Sequence, residues 1–252
     1  MANLLDFTGK AVLVTGGRSG IGQAIAVAFA EQGASVGVMG RRPCDDTLAK
    51  IADAGSEGIY IQGDVSIASD MERAVDTMID AYGKLDAAVN NAGLLPVTAP
   101  LIEQTEEDFQ KIIDVDLKGI FLGMKYEIPA LLANGGGAIV NLASVAGVVA
   151  DPGMAPYVAA KHGVVGLTRA AGIEYAERNV RINCVAPGFV ASEMTKGWMD
   201  DPEMCETVKG FNWAHRIADP KEIAGPVLLL ASDAASFVSG AVWPVDAGQT
   251  AH

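Results

Sequence analysis

Positive charge is scarce in this chain. Its 18 lysines and arginines stand against 31 aspartates and glutamates, a formal net charge of −13 over 252 residues. A nucleic-acid binder needs a basic face to meet phosphates, and a peripheral membrane contact needs a polybasic patch. This balance argues against nucleic-acid and membrane partners alike. Cysteine is nearly absent: Cys44, Cys184 and Cys205 lie far apart, odd in number and without a CxxC pair. Neither a disulfide framework nor a zinc site is expected. The few histidines, His162, His215 and His252, form no HxxxH pair, so no metal centre is expected either. Signal and membrane segments are also missing. The N-terminal MANLLDFTGK has no apolar core behind a positive region, and the uncharged Gly135–Ala150 stretch is broken by Asn141 and Ser144. Neither reads as a secretion signal or a membrane span, and the expected location is the cytoplasm.

What is present is half hydrophobic and rich in glycine, with 29 glycines scattered rather than repeated. Short β-branched runs recur at Ala11–Thr15, Ser35–Met39, Gly58–Gln62, Leu85–Asn90, Ala138–Leu142, Val180–Val185 and Val242–Val245. Several are apolar almost throughout, as strands covered on both faces must be. Between them lie helical patterns such as Ile21, Ile25, Ala28 and Phe29. Alternation of this kind implies βαβ crossovers and a parallel sheet. Thr105 precedes Glu106, Glu107 and Asp108 as an N-cap before an acidic first turn, and Asp219-Pro220 starts a later helix in the same manner. A further helix is expected from Pro156 through Glu177. No repeat or linker divides the chain, so residues 1–252 are read as a single α/β domain. About seven parallel strands are expected, doubly wound with helices on both faces.

The segment Thr15-Gly16-Gly17-Arg18-Ser19-Gly20-Ile21-Gly22 joins the first strand to the first helix. Gly16, Gly20 and Gly22 let the backbone turn sharply and approach a pyrophosphate above the helix N-terminus, the Rossmann-type arrangement. Its Gly-x-x-x-Gly-x-Gly spacing, Asn90-Asn91-Ala92-Gly93 and Pro187-Gly188 resemble the short-chain dehydrogenase/reductase family, in its ordinary branch of roughly 250 residues. The resemblance runs over essentially the whole chain. It implies that Ser19 and Ile21 belong to the cofactor loop, that Asp64 and Val65 flank an adenine, and that Asn90 lies near a ribose. It also implies that Val190, after Pro187 and Gly188, meets a nicotinamide carboxamide. At the end of the second strand, Gly40 stands where an acidic residue would favour NAD, and Arg41 and Arg42 follow it. Guanidinium groups suit a 2′-phosphate, so NADP is favoured over NAD, with Arg18 as a further phosphate contact.

Tyr157 and Lys161 are four apart on one helical face, and Ser144 lies 13 residues before Tyr157, the family's Ser-to-Tyr spacing. Reducing a ketone builds negative charge on oxygen, which Tyr157 can quench with its proton and Ser144 can steady by hydrogen bonding. Lys161, together with the bound nicotinamide, is expected to lower the phenol's pKa, and the resemblance implies that it also reaches the nicotinamide ribose. Asp116 departs from the family, which usually has Asn in that place. An ionised Asp116 beside Lys161 would oppose phenolate formation and raise the operating pH.

Residues 188–219 correspond to the segment that covers the substrate in this family. Met194, Trp198, Met199, Met204, Phe211 and Trp213 give it an apolar, adaptable character, with Leu94, Leu95, Val145 and Ala146 as further candidate lining. His215 is a candidate substrate contact and His162 reads as a packing or surface residue. Ala247 replaces a glycine common in the family's closing segment. The resemblance implies an NAD(P)-dependent short-chain alcohol dehydrogenase or ketone reductase. It would act on a hydrophobic or cyclic secondary alcohol or ketone, as a homotetramer. The alternatives are an NAD-linked diol or sugar dehydrogenase and, more remotely, a non-catalytic nucleotide sensor on the same fold.

Overall fold

The computed structural model describes residues 4–95 and 97–251; His252 and the first three residues of the N-terminal segment lie outside it. Seven strands form one sheet: β1 (Ala11–Thr15), β2 (Ser35–Gly40), β3 (Gly58–Gln62), β4 (Ala87–Asn90), β5 (Gly137–Leu142), β6 (Val180–Pro187) and β7 (Val242–Val245). Their order is β3-β2-β1-β4-β5-β6-β7, and every neighbouring pair is parallel. The seven-stranded, doubly wound α/β arrangement is therefore as the alternation implied.

Burial explains the apolar runs. All five residues of β1 are buried, but successive ones face different layers. Val12 and Val14 pack with Ile25 and Phe29 of α1 (Gly20–Glu31), Ile51 of α2 (Asp45–Asp53) and Ile223 and Val227 of the last helix. Ala11 and Leu13 pack on the opposite side. Their partners there are Met71 and Met78 of α3 (Ala68–Tyr82), Ile120 and Ile128 of α5 (Gly119–Ala133), and Val164 of α6 (Ala155–Glu174). Two apolar layers thus cover both faces of the central strands, while the edge strands β3 and β7 are partly exposed.

The helices carry two irregularities that matter for the site. α4 (Glu106–Ile112) is capped by Thr105, whose hydroxyl accepts the Asp108 N–H at 3.0 Å. It does not stop there but passes through a π-helical turn, Ile113–Lys118, directly into α5. α6 ends at Glu174 rather than at Glu177. A separate 3-10 turn, Ala176–Arg178, and Asn179 at φ 60° then reverse the chain into β6, a reversal that a continuous helix cannot make.

Between β6 and the last helix the chain forms two short helices, α7 (Lys196–Met199) and α8 (Pro202–Lys209). The ends of this 188–219 segment are tied together, with Val190 bridging Ala218 and the Ala191 N–H donating to the Ala218 carbonyl at 2.9 Å. The Trp213 N–H reaches the Ala247 carbonyl at 3.1 Å, so the C-terminal turn also holds the segment. Ala247 sits at φ 49°, the left-handed conformation for which glycine is usual.

α9 (Pro220–Ala231) begins with a capping box. The Asp219 carboxylate accepts the Lys221 N–H at 2.9 Å, and Glu222 accepts the Asp219 N–H at 2.8 Å. Arg216 clasps Glu222 with two hydrogen bonds of 2.7 Å, and these contacts hold the Glu222 carboxyl at about 2. Among the described residues no helix is long and apolar enough to cross a membrane. Replacing Asp219 by alanine removes one half of the box and is expected to cost about 1 kcal/mol of stability. A urea midpoint lowered at unchanged slope would show it, and an unchanged midpoint would assign the helix start to Pro220 and the Arg216–Glu222 clasp instead.

Candidate active site

The sheet order reverses between β1 and β4: the chain moves outward one way through β2 and β3, then the other way through β5 to β7. At such a switch point the connections leaving the strands diverge and open a crevice at their C-terminal ends. A cleft of about 550 Å³ lies there. Following the strand order, its wall runs from Gly40, Arg41 and Arg42 at the end of β2, past the glycine loop after β1, to Ser144, Tyr157 and Lys161 beyond β5.

The glycine loop is shaped for a close backbone approach. Gly16 has φ 69°, and a Cβ there would stand 2.8 Å from the Ala92 backbone. A Cβ on Gly22 would collide with the Asn91 carboxamide and the Gly16 carbonyl. Asn91 braces the loop from β4, its Nδ2 donating to the Thr15 carbonyl at 3.0 Å and the Gly16 carbonyl at 3.2 Å. The N-terminus of α1, with Ser19 in the cap position, opens onto the cleft beside it. A dinucleotide's pyrophosphate fits this cradle in charge and in shape.

Lys161 is the electrostatic centre. It is 3 % exposed, and its ammonium stands 3.3 Å from Asp116 Oδ2 while donating to the Leu142 carbonyl at 3.1 Å. Asp116 is wholly buried in the π-helical turn, and its other oxygen accepts the Leu94 N–H at 2.8 Å. The two pKa directions pull differently on this pair. Burial raises Asp116 towards its neutral acid, against the pull of Lys161. Burial also lowers Lys161, but Asp116 and Tyr157 more than reverse that and hold it above its usual value. The direct contact and the Leu94 N–H favour the carboxylate–ammonium form, which we take as the ground state.

Tyr157 is half-buried, its ring centroid 5.4 Å from Lys161 Nζ. Burial pushes its phenol above the ordinary value; Lys161 and the adjacent Ser144 hydroxyl pull it down, and Asp116 pushes it further up. Lys161 thus pulls the phenol in the direction expected from sequence, and in the protein alone burial outweighs it. Ser144 caps a 3-10 turn, Val145–Gly147, its Oγ accepting the Ala146 N–H at 3.2 Å.

Gly16, Arg18, Ser19, Gly20, Ile21, Gly22, Arg41, Arg42, Asp64, Val65, Asp116, Ser144, Tyr157, Lys161 and Pro187 all line this one cleft, with Leu94, Leu95 and Met194. Three of the expected cofactor-binding residues do not. Asn90 turns its carboxamide away, into the core, where it donates to Glu127 at 2.9 Å and Asn141 at 3.1 Å. Gly188 packs on Asp246, and Val190 is buried, its carbonyl accepting the Thr195 hydroxyl at 2.7 Å. Val145 and Ala146 are likewise buried beneath the cleft rather than lining it. Of the aromatic residues of 188–219, Trp198 stacks on Phe189, whereas Trp213 is 70 % exposed. His162 is a surface residue bonded to the Val158 carbonyl, and His215 is exposed at φ 51°.

Three cleft residues have partners that sequence did not signal. Arg18 and Ser19 both contact Glu193 Oε2, at 3.4 and 3.3 Å, and Arg41 stands 3.9 Å from Asp64 Oδ2. Asn91, rather than Asn90, is the residue that serves the glycine loop. Strand alternation is the signal that separates them: adjacent residues at the end of β4 must face opposite ways.

Known proteins share this architecture. A family model described as enoyl-(acyl carrier protein) reductase matches residues 16–250. Cyclohexanol dehydrogenase of Acinetobacter sp. (strain SE19) is 39% identical over 246 residues, covering 97% of this chain and 96% of the relative. A putative 2-deoxy-d-gluconate 3-dehydrogenase of Agrobacterium tumefaciens, solved with bound NADP, superposes with a TM-score of 0.91 at 35% identity, over 99% of this chain and 100% of its own. Carveol dehydrogenase of Mycobacterium avium, solved in complex with NAD, gives 0.93 at 29% identity, over 97% and 99%. The expected enzyme class, an NAD(P)-dependent alcohol dehydrogenase or ketone reductase, agrees with these relatives. From the glycine cradle at the switch point to the Ser144, Tyr157 and Lys161 cluster, the chain belongs to the short-chain dehydrogenase/reductase family.

Proposed function

We propose that this protein interconverts a hydrophobic, cyclic secondary alcohol and its ketone, with Tyr157 as the proton donor and acceptor. The observation that carries this reading is the convergence of Ser144, Tyr157 and Lys161 at one end of a cleft whose middle is a glycine cradle. Leu94, Leu95 and Met194 add apolar surface to the cleft that holds Ser144, which suits a ring more than a charged sugar acid. The cyclohexanol dehydrogenase relative supports the same substrate class. Residues 188–219 act as the lid, its ends tied together through Val190, Ala191 and Ala218.

A bound nicotinamide dinucleotide supplies or accepts the hydride. The residues do the rest. The Ser144 hydroxyl donates a hydrogen bond to the substrate oxygen and steadies the charge that grows there. Tyr157 delivers its phenolic proton to that oxygen in reduction and withdraws it in oxidation. The Lys161 ammonium favours the phenolate, and Asp116, acting through Lys161, moderates that effect. Pro187 lines the wall where β6 ends.

NADP is the favoured partner because Arg42 alone of the cleft's cations has no anionic partner among the described residues. The pairing of Arg41 with Asp64 is the observation that favours the second reading, an NAD-linked diol or sugar dehydrogenase. Assembly into a homotetramer fits the exposed apolar residues Phe121 of α5, Ile173 of α6 and Phe237 before β7. Sedimentation should then give four times the mass of the chain.

Fluorescence titration with NADPH and NADH decides the cofactor. Tighter NADPH binding, weakened about tenfold or more in Arg42→Ala and less in Arg41→Ala, is expected from a charge-assisted phosphate contact. Tighter NADH binding would replace this assignment with the NAD-linked reading. Tyr157→Phe should lower kcat for cyclohexanol oxidation by about 10² or more while cofactor binding persists; an active variant would remove Tyr157 from the chemistry.

The pH dependence tests Asp116. Oxidation requires the phenolate, so kcat/KM rises with pH through the Tyr157 pKa. Asp116 raises that pKa, so Asp116→Asn should move the rise to lower pH. Superimposable profiles of parent and variant would show that Asp116 does not govern the phenol.

A further inference from the structure

Beneath the cleft lies a second cluster that the chemistry above does not use. Glu127 of α5 is 0 % exposed, an acid in the middle of the apolar layer between α5 and the sheet. Its Oε2 accepts Asn90 Nδ2 at 2.9 Å, while its Oε1 has no hydrogen-bond partner. The same Nδ2 also donates to Asn141 Oδ1 at 3.1 Å, across the β4–β5 pair in which Asn90 and Asn141 stand opposite each other. Asn141 in turn donates to the Thr168 hydroxyl of α6 at 2.9 Å. α5 reaches this cluster without a spacer, because a Cβ on Gly123 would run into the Asn90 carboxamide.

Each member of the cluster sits one step from a working part of the cleft. Asn91, which braces the glycine loop, follows Asn90. Leu142, whose carbonyl receives the Lys161 ammonium, follows Asn141. Thr168 lies two turns beyond Lys161 on α6. We propose that Glu127 is a positioning residue for the cleft: by holding the Asn90–Asn141 carboxamide pair it fixes the ends of β4 and β5, and with them the cofactor loop and the seat of Lys161. The proposal deepens the hydride-transfer reading and rests on it.

The choice of a carboxyl here has a consequence for pH. Burial raises Glu127 to about 7, against the Asn90 hydrogen bond. Its one hydrogen-bond partner, Asn90 of β4, is neutral, and so are the groups reached through it: Asn141 of β5, the Thr168 hydroxyl of α6 and the Met124 sulfur of α5. The charges of the adjoining π-helical turn are already paired, Asp114 with Lys118 and Asp116 with Lys161. Cys184 of β6, beside Thr168, has its thiol pushed up to about 12 and stays protonated throughout the neutral range. The buried face of α3 contributes only Met71, Ala74, Val75 and Met78. Ionisation therefore leaves a buried carboxylate with one oxygen empty and no cation beside it. Relaxation of α5 away from β4 is the available relief, and it loosens the brace on the glycine loop.

Glu127→Gln keeps an acceptor for Asn90 but cannot ionise, and Glu127→Val keeps neither. The measurement is NADPH and NADH affinity of the parent and both variants from pH 6 to 8.5, with amide hydrogen exchange of the cofactor-free proteins. Affinity of the parent should fall as pH rises through about 7, and that of Glu127→Gln should not. Glu127→Val should bind about tenfold more weakly throughout, as loss of a buried hydrogen bond implies, with faster exchange at 91–94 and 142–144. Equal affinities and equal exchange in all three proteins would overturn the proposal. If Glu127→Val does not fold, the pH dependence of Glu127→Gln against the parent still decides. Failure of every form to bind either dinucleotide would sink the functional reading, and the exchange data would then judge the clamp by themselves.

Discussion

A lysine ammonium inside a protein must find acceptors, and much of the active end of this fold is arranged around that demand. Lys161 leaves water almost completely when α6 packs on the sheet, at a desolvation cost of several kcal/mol that only close partners offset. Its partners come from two different places. The Leu142 carbonyl lies one residue past the end of the β4–β5 register, which stops at Asn90 and Asn141, although β6 still pairs with β5 there. Asp116 arrives from the α4–α5 junction. The π-helical turn belongs to the same demand. One extra residue in the turn changes which side chains face α6, and Asp116 is the buried one among its six residues. The other Asp116 oxygen, on the Leu94 N–H, then fixes the loop that follows β4. A single buried charge thus sets the relative positions of α6, β5, the α4–α5 junction and one wall of the cleft.

The second buried acid extends the same logic to the floor of the site. Asp116 has a cation beside it and Glu127 has only a carboxamide, so burial weighs on them differently. Replacing either by a hydrocarbon would remove a desolvation cost, and stability alone would favour that exchange. What such a replacement cannot supply is direction. An apolar side chain fills space in several orientations, whereas a hydrogen-bonded carboxyl accepts from one donor along a narrow range of angles. The ends of β4 and β5, where regular pairing stops and the reacting groups begin, are where direction has most value.

The parts of this arrangement that sequence revealed are those encoded locally. β1 and β3 fall where their apolar runs lie, and the caps at Thr105 and Asp219 are made by residues within three positions of the helix start. The glycine loop is legible because backbone approach needs glycine whatever surrounds it. The hidden parts depend on contacts between distant segments. Arg18 meets Glu193 across 175 positions of sequence, and nothing near either residue announces the other. Glu127 sits in a helix beside Lys125 and Tyr126, a setting in which a glutamate ordinarily faces water. Only the close approach of Gly123 to Asn90 turns that face inward. The resemblance puts Asn90 near the ribose, whereas strand alternation sends its side chain into the core.

Charge gives the cleft its last constraint. The chain carries a net −13, and its ligand is itself an anion, so attraction must be local. Four cations line the cleft, and three of them are already matched: Arg18 with Glu193, Arg41 with Asp64 and Lys161 with Asp116. The first two pairs are exposed and therefore weak, so an incoming phosphate competes for those guanidinium groups at little cost. The third is buried and does not exchange partners. The cleft thus divides into a soft end, where charges can be re-paired by whatever binds, and a hard end, where they cannot. On the proposed reading, binding and recognition belong to the first and proton transfer to the second, because a group that must shift its proton at a defined pH needs neighbours whose charges stay in place.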